Sequence, residues 1–368
     1  MSEGSEAKVT RDGLEGVRPG REALTWSHDA GRDARGDDAA QPRAGDARQP
    51  ASEAAHGRRG GGRRRRGGRD QFTSYYGKPI INAPVWEERD IAGYLFAGGL
   101  AGASSILAAG GELSARPRLA RRCKVCAAAS LGVSLVALVH DLGRPERFIN
   151  MLRVFKPTSP MSVGSWLLGA YGPLNATALT SDVLGLAPRT GRAASLGAGL
   201  LGAGVASYTA ALIADTAVPA WHGGHRELPF VFVGSAASAG SGFALLAVPR
   251  EESAPARRMA VLGAVGELAA EQLMERRLGM VAESLHDGLA GKRLKAAKAL
   301  TALGAIGAAS LAGRSRAAAA FSGAALLAGS ALTRFGLFEA GMASARDPKF
   351  TVQPQRERLL AAEPNVPA

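Results

Sequence analysis

Eight long apolar runs constrain the fold of this chain more than any other feature of its sequence. A bilayer core requires roughly 20 mainly apolar residues per helix, within a range of roughly 17–25. The runs cover residues 91–111, 125–140, 161–181, 193–214, 228–249, 259–274, 299–313 and 317–333. The first, third, fourth and fifth contain no Asp, Glu, Lys or Arg. The sequence therefore predicts an all-α integral membrane protein with eight transmembrane helices, arranged as two four-helix bundles.

A soluble helical bundle is the alternative, but it would need polar outer faces, and these helices are apolar all round. Small residues are frequent inside the runs, as at Gly98, Gly102 and residues 197–204. In lipid such residues let helices approach closely, where packing replaces the hydrophobic effect. We therefore expect these glycines to lie at helix contacts.

The chain outside the apolar region is of a different kind. Residues 1–73 are rich in basic and acidic residues and contain few aromatic residues. They therefore cannot bury enough apolar surface to offset their chain entropy. We predict a disordered Arg-rich tail at 1–73, an eight-helix membrane domain at 74–345 and a C-terminal tail at 346–368. The cluster "GGRRRRGGRD" (61–70) could bind nucleic acid, but attraction to anionic lipid headgroups explains it more simply. We expect the lipid bilayer, and no nucleic acid, as its partner.

Basic residues near the span ends indicate the orientation, because cytoplasmic loops carry an excess of Lys and Arg. The side that holds the N-terminal tail, the 140–160 loop and the 275–298 loop has about twice as many Lys and Arg residues near the span ends as the other side. We expect a multi-pass protein of the cell inner or plasma membrane with both termini in the cytoplasm.

Cys123 and Cys126 form the motif "CKVC". Such a pair can be a redox couple or half of a metal site, but zinc and iron–sulfur centres usually need about four ligands. No other cysteine is present in the sequence to complete a site. We interpret both as small, semi-apolar residues near the start of a helix and predict no metal site.

Ionisable groups inside a membrane span are costly and often functional. Glu267 and Glu271 are four residues apart, hence on one helical face. They are either a proton relay or groups that reach the headgroup region. His140 and Asp141 end the second run and could pass protons or hydrogen-bond a carbonyl, although Asp141 could equally cap the next turn and pair with Arg144.

Aromatic residues also lie near the span ends. They are Tyr75, Tyr76, Trp86, Trp166 and Trp221. Interfacial anchoring is the usual role of such residues. Stacking on a quinone ring would use the same residues at the same depth.

Three long stretches resemble the NrfD/PsrC family of polysulfide-reductase-type membrane subunits. They are "YYGKPIINAPVWEERDIAGYLFAGGLAGAS" (75–104), "DLGRPERFINMLRVFKPTSPMSVGSW" (141–166) and "SYTAALIADTAVPAWHGGHRELPFVFVGSAASAGSG" (207–242). The resemblance covers about residues 74–345. It implies an eight-helix, quinone-interacting subunit that binds no haem or iron–sulfur cluster itself.

The resemblance also implies partners and a site. The family works with a four-cluster iron–sulfur subunit and usually a molybdopterin catalytic subunit, in polysulfide, nitrite or formate oxidoreductase complexes of anaerobic respiration. Menaquinone or ubiquinone is the diffusible substrate. The matching positions for quinone binding are Trp86, Glu87, Asp90, Tyr94, His140, Asp141 and Arg144. The first helix begins with acidic residues where the family has other polar groups. Because quinone reduction consumes two protons, Asp141 and Glu267 are the expected proton-transfer residues.

A transporter or a purely structural anchor is the alternative function. Transporters often contain broken helices that bind a solute at the midplane. Pro173 and Asn175 are expected to interrupt the third span, which gives this alternative some support.

Overall fold

A computed structural model describes residues 9–10, 13–14, 80–82, 84–141 and 150–362 of the chain. The chain divides into two units, residues 1–67 and 68–368. In the first unit the described residues form strands β1 (Val9–Thr10) and β2 (Gly13–Leu14), which pair antiparallel. The rest of the predicted tail up to residue 73 lies outside the described residues, so its disorder stays a prediction.

In the second unit all the described elements of regular secondary structure are helices. The helices are α1 (Glu88–Leu113), α2 (Pro117–Asp141), α3 (Pro160–Leu184), α4 (Pro188–Ala214), α5 (Pro219–Gly223), α6 (Leu228–Ala247), α7 (Ala254–Leu278), α8 (Glu283–His286), α9 (Gly288–Ser310), α10 (Arg316–Arg346) and α11 (Lys349–Ala362). Short 3₁₀ turns, Arg250–Glu252 and Gly279–Ala282, precede α7 and α8. Each predicted apolar run falls on one of the eight long helices, but the ends differ by up to 13 residues, as at the end of α10, which is Arg346 where the run ends at residue 333. Helix α11 occupies most of the segment that was expected to be a C-terminal tail.

Five of the described helices are long and apolar enough to cross a membrane. They are α1, α2, α4, α6 and α10. Helix α7 carries several Arg and Glu residues and α9 carries Lys and Arg, while α3 is diluted by Gly, Ser, Thr and Asn. The prediction of a helical, multi-pass membrane protein is confirmed. Of the eight predicted crossings, five correspond to helices with the required length and composition. The crossings by α3, α7 and α9 stay predictions.

The eight long helices pack in two groups of four. Helices α1 to α4 form the first group, and α6, α7, α9 and α10 form the second. Helix α1 also packs against α6 and α10 and so joins the groups. Helix α3 runs unbroken through Pro173. The expected interruption of the third span is therefore wrong, because a proline can stay within a helix where neighbouring helices support it.

Helices α1 and α4 cross where Gly102 meets Gly202. A Cβ atom on Gly202 would lie 2.5 Å from the carbonyl oxygen of Gly102, closer than any real contact of that kind. A Cβ atom on Gly110, two turns further along α1, would meet nothing within 4 Å. The expected role of glycines in close helix packing is therefore confirmed at this crossing.

The second group of helices supplies the N-terminal cap of α2. Helix α2 has no acidic residue in its own first turn. The backbone N–H groups of Arg118 and Leu119 donate instead to Oε2 of Glu252, over 2.9 and 3.0 Å. A carboxylate at this end satisfies free N–H groups and opposes the positive end of the helix dipole.

Replacing Glu252 with Gln or Ala is expected to lower the free energy of unfolding by about 1–2 kcal/mol, because the cap of α2 is weakened or lost. Thermal unfolding in detergent measures the change. The matched control is Glu251→Gln, since Glu251 is the adjacent carboxylate and is exposed. Equal stabilities of the two variants would contradict the capping role.

Candidate functional site

A cavity of about 320 Å³ lies between α1, α2, α3 and α4. We call it the α1–α4 cavity. Its apolar wall consists of Ile91, Leu138, Met151, Pro160, Met161, Leu168, Leu212 and Ile213. Its polar groups come from Trp86, Tyr94, Asp141, Ser159, Ser165, Tyr208, Asp215 and Thr216. The C-terminal ends of α2 and α4 and the start of α1 and α3 therefore meet around one mainly apolar space with polar groups on its rim.

Three of the predicted site residues line this cavity together. They are Trp86, just before α1, Tyr94 in its second turn, and Asp141 at the end of α2. Tyr94 is only 1% exposed, and its hydroxyl donates a hydrogen bond to the hydroxyl of Tyr208 over 3.2 Å. The structure thus gathers residues that are about 50 positions apart in the sequence.

Tyr208 is a cavity residue that the sequence analysis missed. It lies seven residues before Asp215, the residue that directly follows α4, and both residues line the cavity. This spacing was visible in the quoted stretch "SYTAALIAD". The seven-residue spacing from Asp215 could therefore have pointed to Tyr208, but the residues next to Tyr208 did not distinguish it from an ordinary aromatic residue in a span.

Three other predicted site residues, Glu87, Asp90 and His140, are not among the described residues that line the cavity. Nδ1 of His140 lies 2.6 Å from Oδ2 of Asp90, so these two side chains pair with each other. His140 is 72% exposed, and Glu87 is exposed as well. Arg144 lies outside the described residues, and with it the predicted Asp141–Arg144 pair. The described part of the site therefore consists of a cavity with the Asp90–His140 ion pair beside it.

A stack of aromatic rings holds one wall of the cavity. The ring of Trp86 stacks on Trp221 with centroids 5.9 Å apart, and Trp221 contacts Phe338 at 5.6 Å. Nε1 of Trp221 donates to the carbonyl of Leu337 over 2.8 Å. Trp221 is 1% exposed, so it is a buried packing residue and not the exposed anchor that its position near a span end indicated. Trp166 is partly exposed, as an anchor would be.

Glu267 and Glu271 share one face of α7, as predicted, but this face points into the second group of helices. They are 1% and 3% exposed. Oε1 and Oε2 of Glu267 accept hydrogen bonds from Thr333 and Ser238, over 2.8 and 3.3 Å. Both carboxyl groups are therefore inside the protein, and Glu267 is not among the residues of the α1–α4 cavity.

The two cysteines are free and buried in the first half of α2. The hydroxyl of Ser104 contacts Sγ of Cys126 at 3.4 Å. This placement agrees with their interpretation as small residues near a helix start. Within residues 84–141 and 150–362 no group of three or more His, Cys, Asp or Glu side chains is arranged to hold a metal ion.

Comparison of the chain with protein-family models gives a match. The model of the family described as polysulphide reductase, NrfD, matches residues 81–282, which is more than half of the chain. A search of curated proteins finds no match. The matched segment begins before α1 and ends with the 3₁₀ turn after α7, so it contains every described residue of the α1–α4 cavity. The resemblance seen in the sequence is confirmed, and the chain belongs to the polysulphide reductase NrfD family.

Proposed function

We propose that this protein is the membrane anchor and quinone-reactive subunit of a respiratory molybdoenzyme-type complex. In that role it exchanges electrons between a partner iron–sulfur protein and a membrane quinone. The observation that carries the proposal is the α1–α4 cavity, which combines an apolar wall with hydroxyl and carboxyl groups. Membership of the NrfD family supports it.

The cavity suits an aromatic ring with two carbonyl groups. Ligand pockets usually measure about 300–1,000 Å³ and combine apolar walls with a few polar groups, and a volume of about 320 Å³ falls within this range. Trp86 offers a flat face on one side. The apolar wall would bury the ring, and the polar groups would fix its orientation.

Two residues would act on the bound ring. Because the Tyr94 hydroxyl donates to Tyr208, the proton of the Tyr208 hydroxyl remains free to donate to a quinone carbonyl. Asp141 would deliver a proton to the same oxygen or accept one from it. A bound quinone supplies the two-electron chemistry, and its reduction takes up two protons. The Asp90–His140 pair beside the cavity could exchange protons with Asp141 through water.

The finer features of the membrane arrangement belong to the same proposal. Eight crossings are supported by the eight long helices, the shortest of which has 20 residues, a length of about 30 Å. We also propose that both termini are cytoplasmic and that the partners are a four-cluster iron–sulfur subunit and a molybdopterin catalytic subunit. The transporter alternative is weakened because α3 is continuous.

Removing the Tyr208 hydroxyl tests quinone binding. Tyr208→Phe is expected to weaken the binding of a quinone analogue by about 2–13-fold, because one hydrogen bond contributes about 0.5–1.5 kcal/mol. Titration of the purified chain in nanodiscs measures the dissociation constant.

Tyr171→Phe is the matched control for this titration. Tyr171 is buried in the same group of helices, but its hydroxyl bonds to Ser105 and Asn175 and does not line the cavity. Equal affinities of the two variants would remove Tyr208 from the site. A wild-type chain that binds no quinone analogue and copurifies with no iron–sulfur protein would contradict the proposed function itself.

A further inference from the structure

We propose that the second group of helices contains a water-linked proton path, which leads from His286 at the surface to Glu267 in the protein interior. The path extends the prediction that Glu267 transfers protons, because it gives this residue a route to the surface that shares no residue with the α1–α4 cavity and requires no quinone. It would allow the Glu267 carboxyl group to exchange protons with the water on one side of the membrane. The argument rests on three successive contacts, from His286 to Glu271, and on buried nitrogen atoms of Arg334 that lack a partner.

The outer half of the path is a row of ionisable side chains in contact. Nε2 of His286 lies 3.6 Å from Oε2 of Glu275, whose other oxygen lies 2.5 Å from Nζ of Lys298. The same Nζ lies 3.4 Å from Oε1 of Glu271. His286 and Lys298 are partly exposed, at 48% and 34%, whereas Glu275 and Glu271 are 13% and 3% exposed. The row therefore connects solvent with the interior without a gap wider than 3.6 Å.

The inner half begins at Glu267, one helical turn before Glu271 in α7. Glu267 follows the same face as Glu271 and is held by hydrogen bonds from Thr333 and Ser238. These hydroxyl groups fix the carboxyl group in place. A hydroxyl can also pass a proton on, because it can donate and accept at once. Glu267 is thus a fixed proton acceptor at the inner end of the row.

Buried atoms without a partner indicate that water joins the two halves. Arg334 is 1% exposed, and its Nη2 donates to the carbonyl of Phe232 over 2.7 Å. Its Nε and Nη1 have no hydrogen-bond partner among the described residues. Buried polar groups of this kind are usually satisfied by internal water. Ordered water here would connect Glu271, Glu267 and Arg334.

The charges of these groups favour such a role over simple packing. Ionisable side chains inside membrane proteins are costly and usually mark ion or proton pathways. Arg334 lies over the ring of Phe232 at 3.7 Å and supplies a positive charge near Glu267. When a proton arrives from Glu271, Glu267 becomes neutral, and the proton leaves by the same route. No electron donor or acceptor is involved in this exchange.

Isotope exchange tests the path on the full-length chain in quinone-free nanodiscs. Infrared spectra follow the carbonyl stretch of protonated carboxyl groups after transfer to D₂O, and the difference between wild type and Glu267→Gln assigns the Glu267 band. We expect this band to shift promptly in wild type and at least about tenfold more slowly in Glu271→Gln, because a proton must then cross a higher barrier. Because no quinone is present, the outcome is independent of the proposed function.

Lys349→Met is the matched control. Lys349 pairs with Glu283 over 2.8 Å, away from the proposed row, and its loss should leave the exchange rate unchanged. If Glu271→Gln does not fold, Glu275→Gln serves instead, since Glu275 lies nearer the surface. Equal exchange rates in wild type and the path variants would overturn the proposal. The absence of any Glu267-dependent band across the pH range in which the protein is stable would also overturn it.

Discussion

Replacing Asp141 with Asn is expected to lower quinone turnover by roughly 10²–10⁴-fold, because a positioned proton donor or acceptor contributes about that much to a reaction. Asn has nearly the same size as Asp, but its amide cannot exchange a proton at neutral pH. Asp141 lines the α1–α4 cavity at the end of α2, and Tyr208 lines the same cavity. The complex should still assemble, because Asp141 lines a cavity and no described contact of it joins two helices.

Turnover of a soluble quinone by the purified complex measures this effect. Asp182→Asn is the matched control, since Asp182 on α3 pairs with Arg121 and Lys124 and is not a cavity residue. Comparison with Asp215→Asn shows whether the second carboxyl group on the rim substitutes for Asp141. Full quinone turnover in Asp141→Asn would remove Asp141 from the mechanism.

Replacing Gly102 with Ala is expected to reduce the free energy of unfolding by about 1–3 kcal/mol or more, as overpacking of a close contact does. The added methyl group would meet the backbone of Gly202 on α4, and backbone cannot move aside as a flexible side chain can. The first group of helices would have to spread apart at its centre, which would loosen the α1–α4 cavity as well.

The comparison with Gly110→Ala isolates this effect. Gly110 is in the same helix, and a methyl group there meets nothing within 4 Å. This second change should be neutral or should stabilise α1 by up to about 1 kcal/mol, because Ala favours a helix over Gly. Thermal unfolding of both variants in the same detergent gives the difference. A Gly102→Ala variant as stable as Gly110→Ala would show that the crossing is looser than described.

The positions of the long helices could be predicted because each is encoded by a local run of apolar residues. The runs at 91–111 and 193–214 correspond closely to α1 and α4. The ends of helices with charged residues were harder to place, as for the run at 299–313, whose helix begins at Gly288 and ends at Ser310. Those charges are paired with other helices, which no local pattern shows.

The candidate site was predictable only in part. Trp86, Tyr94 and Asp141 were selected through the family resemblance, and the structure places all three around one cavity. The pairing of Asp90 with His140 joins residues 50 positions apart, and the hydrogen bond between Tyr94 and Tyr208 joins residues 114 positions apart. Such contacts depend on which helices become neighbours, and a single sequence does not contain that information.

The cap of α2 by Glu252 has a consequence for biosynthesis. The capping carboxylate lies 134 residues after Arg118, so it does not exist when α2 leaves the ribosome. At about 5–20 residues per second, that end of α2 waits for roughly 7–27 seconds before its partner is made. During this interval α3, α4 and α6 are synthesised. The amino-terminal half of the membrane domain can therefore complete its folding only after the ribosome has begun the second half.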